Sequence, residues 1–310
     1  VKHFVPFLIV LGIAVIVLTI YLKNIPQAIS TPTPTASPTQ SPTPTPKATP
    51  TKSPTSKPST TPKPSSSSTP APVVTSNQLP KSGYSSFRVA TDVGTFLIDI
   101  GVGDISSTRV VIDTASTSDC TSNCPALSLG TYISRRNAFA GINGTYFCPA
   151  EPAYSDCGAN NSFNFLVMNV DKYYFNSSNN VYSNNPGAIF SQSYVRFVGS
   201  ISEWGRDTSP DGVISNYPLL VAGGNINFSG NGDSKLNSKA ARSFVANKGN
   251  LVYIGVVFSA SVSDVAHVLH TLGVDNALNL DDGGSTALWY GGYKVGPGRN
   301  IPNAILFISR

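Results

Sequence analysis

The sequence predicts an α+β fold: a large mixed or antiparallel β-sheet system with a few packed helices, forming a single globular domain behind a membrane anchor and a disordered stalk. Three observations predict it. Apolar strand-like runs recur from residue 84 to the C-terminus; only two stretches there carry helical periodicity; and the residues before 84 lack the composition of a packed core.

The leader comes first. Phe4–Leu22 is nearly all apolar and is flanked by Lys2 and Lys23. At 1.5 Å per residue it spans about 28 Å, close to the hydrocarbon thickness of a bilayer. Nothing resembling Ala-x-Ala follows it, so residues 1–24 read as an uncleaved transmembrane signal anchor, with a removed signal peptide as the alternative. Residues 25–83 read as a stalk. Ser30–Pro72 is almost entirely Thr, Pro, Ser and Lys, too poor in apolar groups to offset the entropy of folding. Extended as polyproline, Ser30–Pro80 would reach about 150 Å. The expectation is a single-pass membrane protein, tethered through residues 4–22, with an extracytoplasmic domain, or a secreted one if the leader is cleaved.

Charge sharpens the division. The formal charge is +5, yet seven lysines and no acid precede Tyr84, so the remainder is slightly acidic. A nucleic-acid partner is excluded, because the basic footprint is missing from the part that would fold. The four cysteines, Cys120, Cys124, Cys148 and Cys157, suit local disulfides, 120 with 124 and 148 with 157, although three pairings are possible. A zinc site competes, but histidines are lacking nearby and the spacing is unlike a finger. An even cysteine count behind an anchor and stalk points to an oxidising compartment.

Within residues 84–310, Ser86–Ala90, Thr95–Ile100 and Arg109–Ile112 predict an early meander. A helix over Ser128–Asn137 follows, then strands at Asn137–Ile142, Phe163–Asn169, Tyr173–Asn176, Ala188–Ser191, Tyr194–Val198 and Pro218–Val221. Arg242–Asn247 and Leu251–Phe258 flank Lys248-Gly249-Asn250, a hairpin signal. Ser263–Leu272 reads as a helix capped by Ser263 and ended by Gly273, with Val265, Val268, Leu269 and Leu272 on its buried face. Val274–Leu280, Ala287–Tyr290 and Asn303–Ser309 complete the set. His267 and His270 stand at i and i+3 on the second helix, but no carboxylate completes a metal set, and they read as surface or boundary residues. Without a catalytic histidine, a Ser-His-Asp hydrolase is excluded.

The densest breach of local rules is Asn279-Leu280-Asp281-Asp282-Gly283-Gly284-Ser285-Thr286. Adjacent carboxylates repel, and paired glycines weaken a sheet region, so such a stretch reads as a site. Other segments join it. Asn143-Gly144-Thr145-Tyr146-Phe147 offers an amide for a sugar hydroxyl or phosphoryl oxygen, and aromatic rings to stack on a sugar. Gly223-Gly224 is a glycine pair at a strand end. Arg242-Ser243 opens a strand with a cation that needs a partner, either Asp281 or a bound anion. Arg299-Asn300-Ile301-Pro302-Asn303-Ala304 leads into the last strand.

The ordered set Asn-Gly-x-aromatic-Phe, Arg-Ser, amphipathic helix, Asn-Leu-Asp-x-Gly-Gly-Ser-Thr and Arg-x-Ile-Pro-Asn-Ala resembles the phosphodiester glycosidase family over most of residues 84–310. Asp282 stands where the family has a glycine, and Ser243 where it has a threonine. The resemblance implies hydrolysis of a sugar-1-phosphodiester at the glycosidic C1–O bond, releasing sugar and a phosphomonoester. The implied substrate is a phosphorylated or phosphodiester-linked glycan, on wall or other extracellular polymers.

It further implies that Arg242 holds phosphoryl oxygens, helped by backbone N–H groups of Gly283 and Gly284. Asp281 would act as nucleophile, as base toward water, or as stabiliser of an oxocarbenium-like centre. Asn143 and Ser285 would orient substrate or water; Thr286, Ser243, Tyr146, Gly224 and Arg299 would complete the substrate-binding set. Asp282 would either repel the substrate or point outward. No cofactor is implied, though Asp281, Asp282 and Asn279 form an all-oxygen set suited to a divalent cation such as calcium. The competing expectation is a non-catalytic, membrane-tethered glycan-binding module, with Tyr146, Trp204 and Trp289 stacking on sugars.

Overall fold

The computed structural model describes residues 74–151, 157–176 and 182–310. The expected anchor at residues 4–22, and the stalk up to residue 73, lie outside the described residues. Among the described residues, no helix is long and apolar enough to cross a membrane. Residues Val74–Asn77 already run beside the first strand, through backbone bonds to Arg88 and a side-chain bond from Asn77 to Ala90.

Three sheets carry the fold, and every strand pair within them is antiparallel. The first has seven strands in the spatial order Gly83–Thr91, Gly94–Asp104, Leu251–Ala260, Ala240–Lys248, Asn276–Asn279, Leu219–Ala222 and Asn225–Ile226. Its central strand, Ala240–Lys248, is buried on both faces. Phe244 and Ala246 pack toward the helix Val262–Leu272, and Val245 packs toward the second sheet. That double burial accounts for a continuous apolar run in place of polar alternation. The expected hairpin forms, since Lys248 pairs with Leu251 around a two-residue turn. Gly249 takes a positive φ of 53° there, which costs a glycine no side-chain strain.

The helix Val262–Leu272 buries Val265, Val268, Leu269 and Leu272 against the first sheet. Each contributes roughly 1.5–3 kcal/mol through removal from water. Its cap is Ser261, not Ser263. Asp264 reaches back to the Ser261 backbone N–H while the Ser261 hydroxyl accepts from the Asp264 N–H. This reciprocal box satisfies two donors that a cap at Ser263 would leave orphaned. Ser261→Ala should cost about 1 kcal/mol, measurable as a shift in the urea midpoint.

The second sheet runs Tyr293–Val295, Leu288–Tyr290, Ala140–Asn143, Asn303–Ser309, Thr108–Thr114, with the helix Leu129–Arg136 on its outer face. Asn137 does not begin a strand as expected. It ends that helix in the left-handed conformation, φ 49°, and the strand starts at Ala140. The third sheet runs Tyr174–Phe175, Val167–Met168, Gly212–Ser215, Gly187–Phe190, Val195–Val198. Here the expected strand Phe163–Asn169 shrinks to Val167–Met168, because Phe163 and Asn164 bond instead to the Tyr146–Phe147 segment. Apolar residues of all three sheets, including Val245, Ile142 and Ile214, meet in one core cluster. The cysteines pair locally, Cys120 with Cys124 and Cys148 with Cys157, leaving none for zinc.

Candidate active site

The site lies where the ends of two sheets meet. In the first sheet Phe244 pairs with Asn279, and the Leu280 N–H continues the ladder to the Ser243 carbonyl. Register alone therefore carries the residues after Leu280 toward Arg242. From the second sheet, the Gly144 carbonyl accepts the Asp281 N–H. Two elements far apart in sequence are thus stitched by backbone bonds at the point where the unusual motif begins.

Arg242 finds its partner in Asp282, not Asp281: Nη1 lies 2.9 Å from Asp282 Oδ2. Its other donors go to the carbonyls of Ala260, Lys235 and Ser238. Asp282 points inward and lines the cavity, not outward, which was one of the two expected outcomes. It accepts from Arg242, the Ser243 N–H, the Tyr146 hydroxyl and Asn279 Nδ2. Burial pushes the Asp282 carboxyl upward from its ordinary pKa, and the Arg242 charge opposes that push. A ring of donors on both oxygens suits the ionised form. Tyr146 is also pushed well up by burial, so it stays protonated and donates to Asp282.

Asp281 occupies a different environment. Its Oδ1 accepts from the Asp282 N–H at 2.9 Å. Burial raises its carboxyl pKa from 3.8 to about 7; a hydrogen bond from Ser285 pulls downward, and the neighbouring Asp282 charge adds to the rise. Arg299 exerts a further downward pull. Among the described residues, the Arg299 guanidinium has no hydrogen-bond partner, while its backbone N–H bonds to the Gly284 carbonyl. A Cβ at Gly284 would strike the Arg299 guanidinium, so any other residue there would displace that side chain. Gly283 makes the preceding turn with φ 59°.

Asp281, Asp282, Gly283, Gly284, Ser285, Arg242, Arg299 and Tyr146 all line one cavity of about 620 Å³. Phe165, Tyr217, Asp233 and Lys235 line it too, and the sequence had not marked them. A volume in this range suits a saccharide-sized ligand. Tyr146 packs its ring on Phe165 and commits its hydroxyl to the buried network.

Asn143, Ser243, Thr286 and Gly224 do not line the cavity. Asn143 is fully buried; it donates to the Asp281 carbonyl and accepts from the Ser243 hydroxyl and the Ala287 N–H. It is a clamp behind the site. Thr286 bonds to the Ala241 carbonyl. Gly224 sits in a turn whose carbonyl meets His270. Trp204 stacks on Tyr174 and Trp289 packs on Tyr293, both outside the cavity. Asn216, also unmarked in the sequence, ties Thr145 and Tyr146 to Asn279. Asn143→Ala strands three buried partners and should lower stability by about 3 kcal/mol, read from urea unfolding.

The proposed cation set is not assembled as an all-oxygen cluster, since Asn279 turns its Nδ2 to Asp282. Among the described residues, no group of three or more His, Cys, Asp or Glu side chains is placed to hold a metal ion.

A family model described as phosphodiester glycosidase matches residues 136–308. The catalytic domain of zebrafish N-acetylglucosamine-1-phosphodiester alpha-N-acetylglucosaminidase, a structure auto-inhibited by its pro-peptide, is similar at TM-score 0.55 and 16% identity. That match covers 77% of this chain and 87% of the zebrafish one. A hypothetical protein from Synechocystis is similar at TM-score 0.51 and 14% identity, covering 73% of this chain but only 62% of that one. At such identities the likeness shows the fold. No curated protein matches the chain.

Proposed function

We propose that this chain, which belongs to the phosphodiester glycosidase family, hydrolyses a sugar-1-phosphodiester at the C1–O bond. The observation that carries the reading is that Asp281 and Arg299 line the same cavity together with Gly283 and Gly284, with the Arg299 charge acting on the Asp281 carboxyl. The leaving group is a phosphate ester, already anionic and stable, so it needs a cation more than a proton. Arg299 is the guanidinium open to that role, and the backbone of Gly283 and Gly284 supports it. Arg242, saturated by carbonyls and Asp282, holds the motif in place.

Asp281 then acts as the base toward water. A carboxyl poised near pH 7 takes a proton more effectively than one titrating near 4. Water attacks C1 as the C1–O bond breaks; Asp281 receives the water's proton, and the phosphomonoester leaves with the bonding electron pair. The substrate class is a phosphodiester-linked glycan outside the cytoplasm, a location with which the two disulfides agree. Display on a membrane tether through residues 4–22 belongs to the same proposal.

Steady-state kinetics on a sugar-1-phosphodiester test the assignment. Arg299→Ala should raise KM by 10- to 100-fold or more, roughly the worth of a charge-assisted hydrogen bond, with the thermal midpoint unchanged. An unchanged KM would remove Arg299 from the site.

A further inference from the structure

Four donors from separate parts of the chain converge on the Asp282 carboxylate. Arg242 Nη1 lies at 2.9 Å, the Ser243 N–H at 3.0 Å, the Tyr146 hydroxyl at 3.2 Å and Asn279 Nδ2 at 3.3 Å. A guanidinium, a backbone amide, a phenol and a carboxamide around two oxygens form the coordination of a bound anion. Both Arg242 and Asp282 face the cavity. The chain has filled an anion cradle with its own side chain.

The charges around the cavity show what this filling does. Arg242 is cancelled by Asp282 at direct contact. Asp233 and Lys235, which also line the cavity, carry opposite signs. Asp281 contributes a negative charge only as it ionises near neutrality. What remains is the Arg299 guanidinium, which among the described residues has no carboxylate at hydrogen-bond distance. A phosphodiester carries one negative charge. A phosphomonoester, with a second pKa of about 6, carries nearly two at pH 7.

We propose that Asp282 is a specificity-determining residue: by occupying the four-donor cradle it withholds Arg242 from ligands, so the cavity accepts the singly charged phosphodiester and disfavours the doubly charged phosphomonoester. In use this rests on the hydrolase reading, where it favours substrate over product and speeds product release. Binding itself does not depend on turnover. Without the Asp282 carboxylate, the cradle opens to the second charge of a monoester, and Arg242 becomes a ligand-binding group.

Calorimetric titration of the full chain at pH 7 with dimethyl phosphate and with methyl phosphate separates the two charge states on near-identical shapes. The wild type should bind dimethyl phosphate at least as tightly as methyl phosphate. Asp282→Gly should shift that preference toward methyl phosphate by at least tenfold. Asp282→Asn keeps the side-chain volume in case the glycine variant fails to fold, and should shift it in the same direction. A wild type that prefers the dianion, or folded variants whose preference is unchanged, would overturn the proposal. A preference that behaves as expected in a protein without turnover would sink the hydrolase reading alone; turnover without the preference would sink only the role of Asp282.

Discussion

Asp281→Asn should lower turnover of a sugar-1-phosphodiester by roughly 1,000-fold, within the range for loss of a positioned base, while leaving KM nearly unchanged. In the wild type, kcat/KM should fall about tenfold per pH unit below about pH 7, because the base must be ionised and its pKa is about 7. The same substitution should stabilise the fold at alkaline pH. Burial raises the Asp281 pKa from 3.8 to about 7. A carboxyl raised in this way supports the folded state while protonated; that support is complete below about pH 4 and is lost as the pH climbs through about 7. Asparagine has no proton to lose. The Tm difference, variant minus wild type, should therefore grow between pH 5 and pH 8 by several degrees, at roughly 1.4 kcal/mol per pH unit separating the two pKa values. A pH-independent Tm difference would contradict the burial argument even if activity were lost.

The second large effect is on stability. Arg242→Ala should destabilise the domain by about 3–5 kcal/mol, because it leaves the buried Asp282 carboxylate without its counter-charge. It also strands the Ala260, Lys235 and Ser238 carbonyls that now share the guanidinium. Adding Asp282→Gly to that variant should recover part of the loss, since the unpaired charge leaves with its side chain. Urea midpoints of the two single variants and the double variant give the coupling. An Arg242→Ala midpoint equal to the wild type would mean that the pair is not holding the motif.

Much of the fold was legible in the sequence because strand signals are local. The runs at Arg242–Asn247 and Leu251–Phe258, with a glycine between them, could hardly pair otherwise than as a hairpin. The short strands Gly212–Ser215 and Tyr293–Val295 were not legible, being set by partners distant in sequence rather than by pattern. The cap of the helix Val262–Leu272 was misread because Ser261 and Ser263 are alike in propensity, and only the reach of Asp264 distinguishes them.

At the site, residue types revealed the cluster but not its orientation. Asp281, Ser285 and Arg299 do line the cavity. Asn143 and Ser243 instead bond to each other behind it. The choice of Asp282 over Asp281 as partner to Arg242 follows from strand register, and register is invisible in composition. Asn216 went unnoticed because a buried polar residue in a turn carries no motif; its signal is the partner it satisfies.

Hydrolysis of a sugar-1-phosphodiester in water enriched with ¹⁸O separates attack at C1 from attack at phosphorus, with the label located by mass spectrometry of both products. Attack at C1 predicts that the label enters the released sugar and that the phosphomonoester stays unlabelled. Label in the phosphomonoester would place the attack at phosphorus, and absence of any product would deny the cavity a catalytic role; either result contradicts the account.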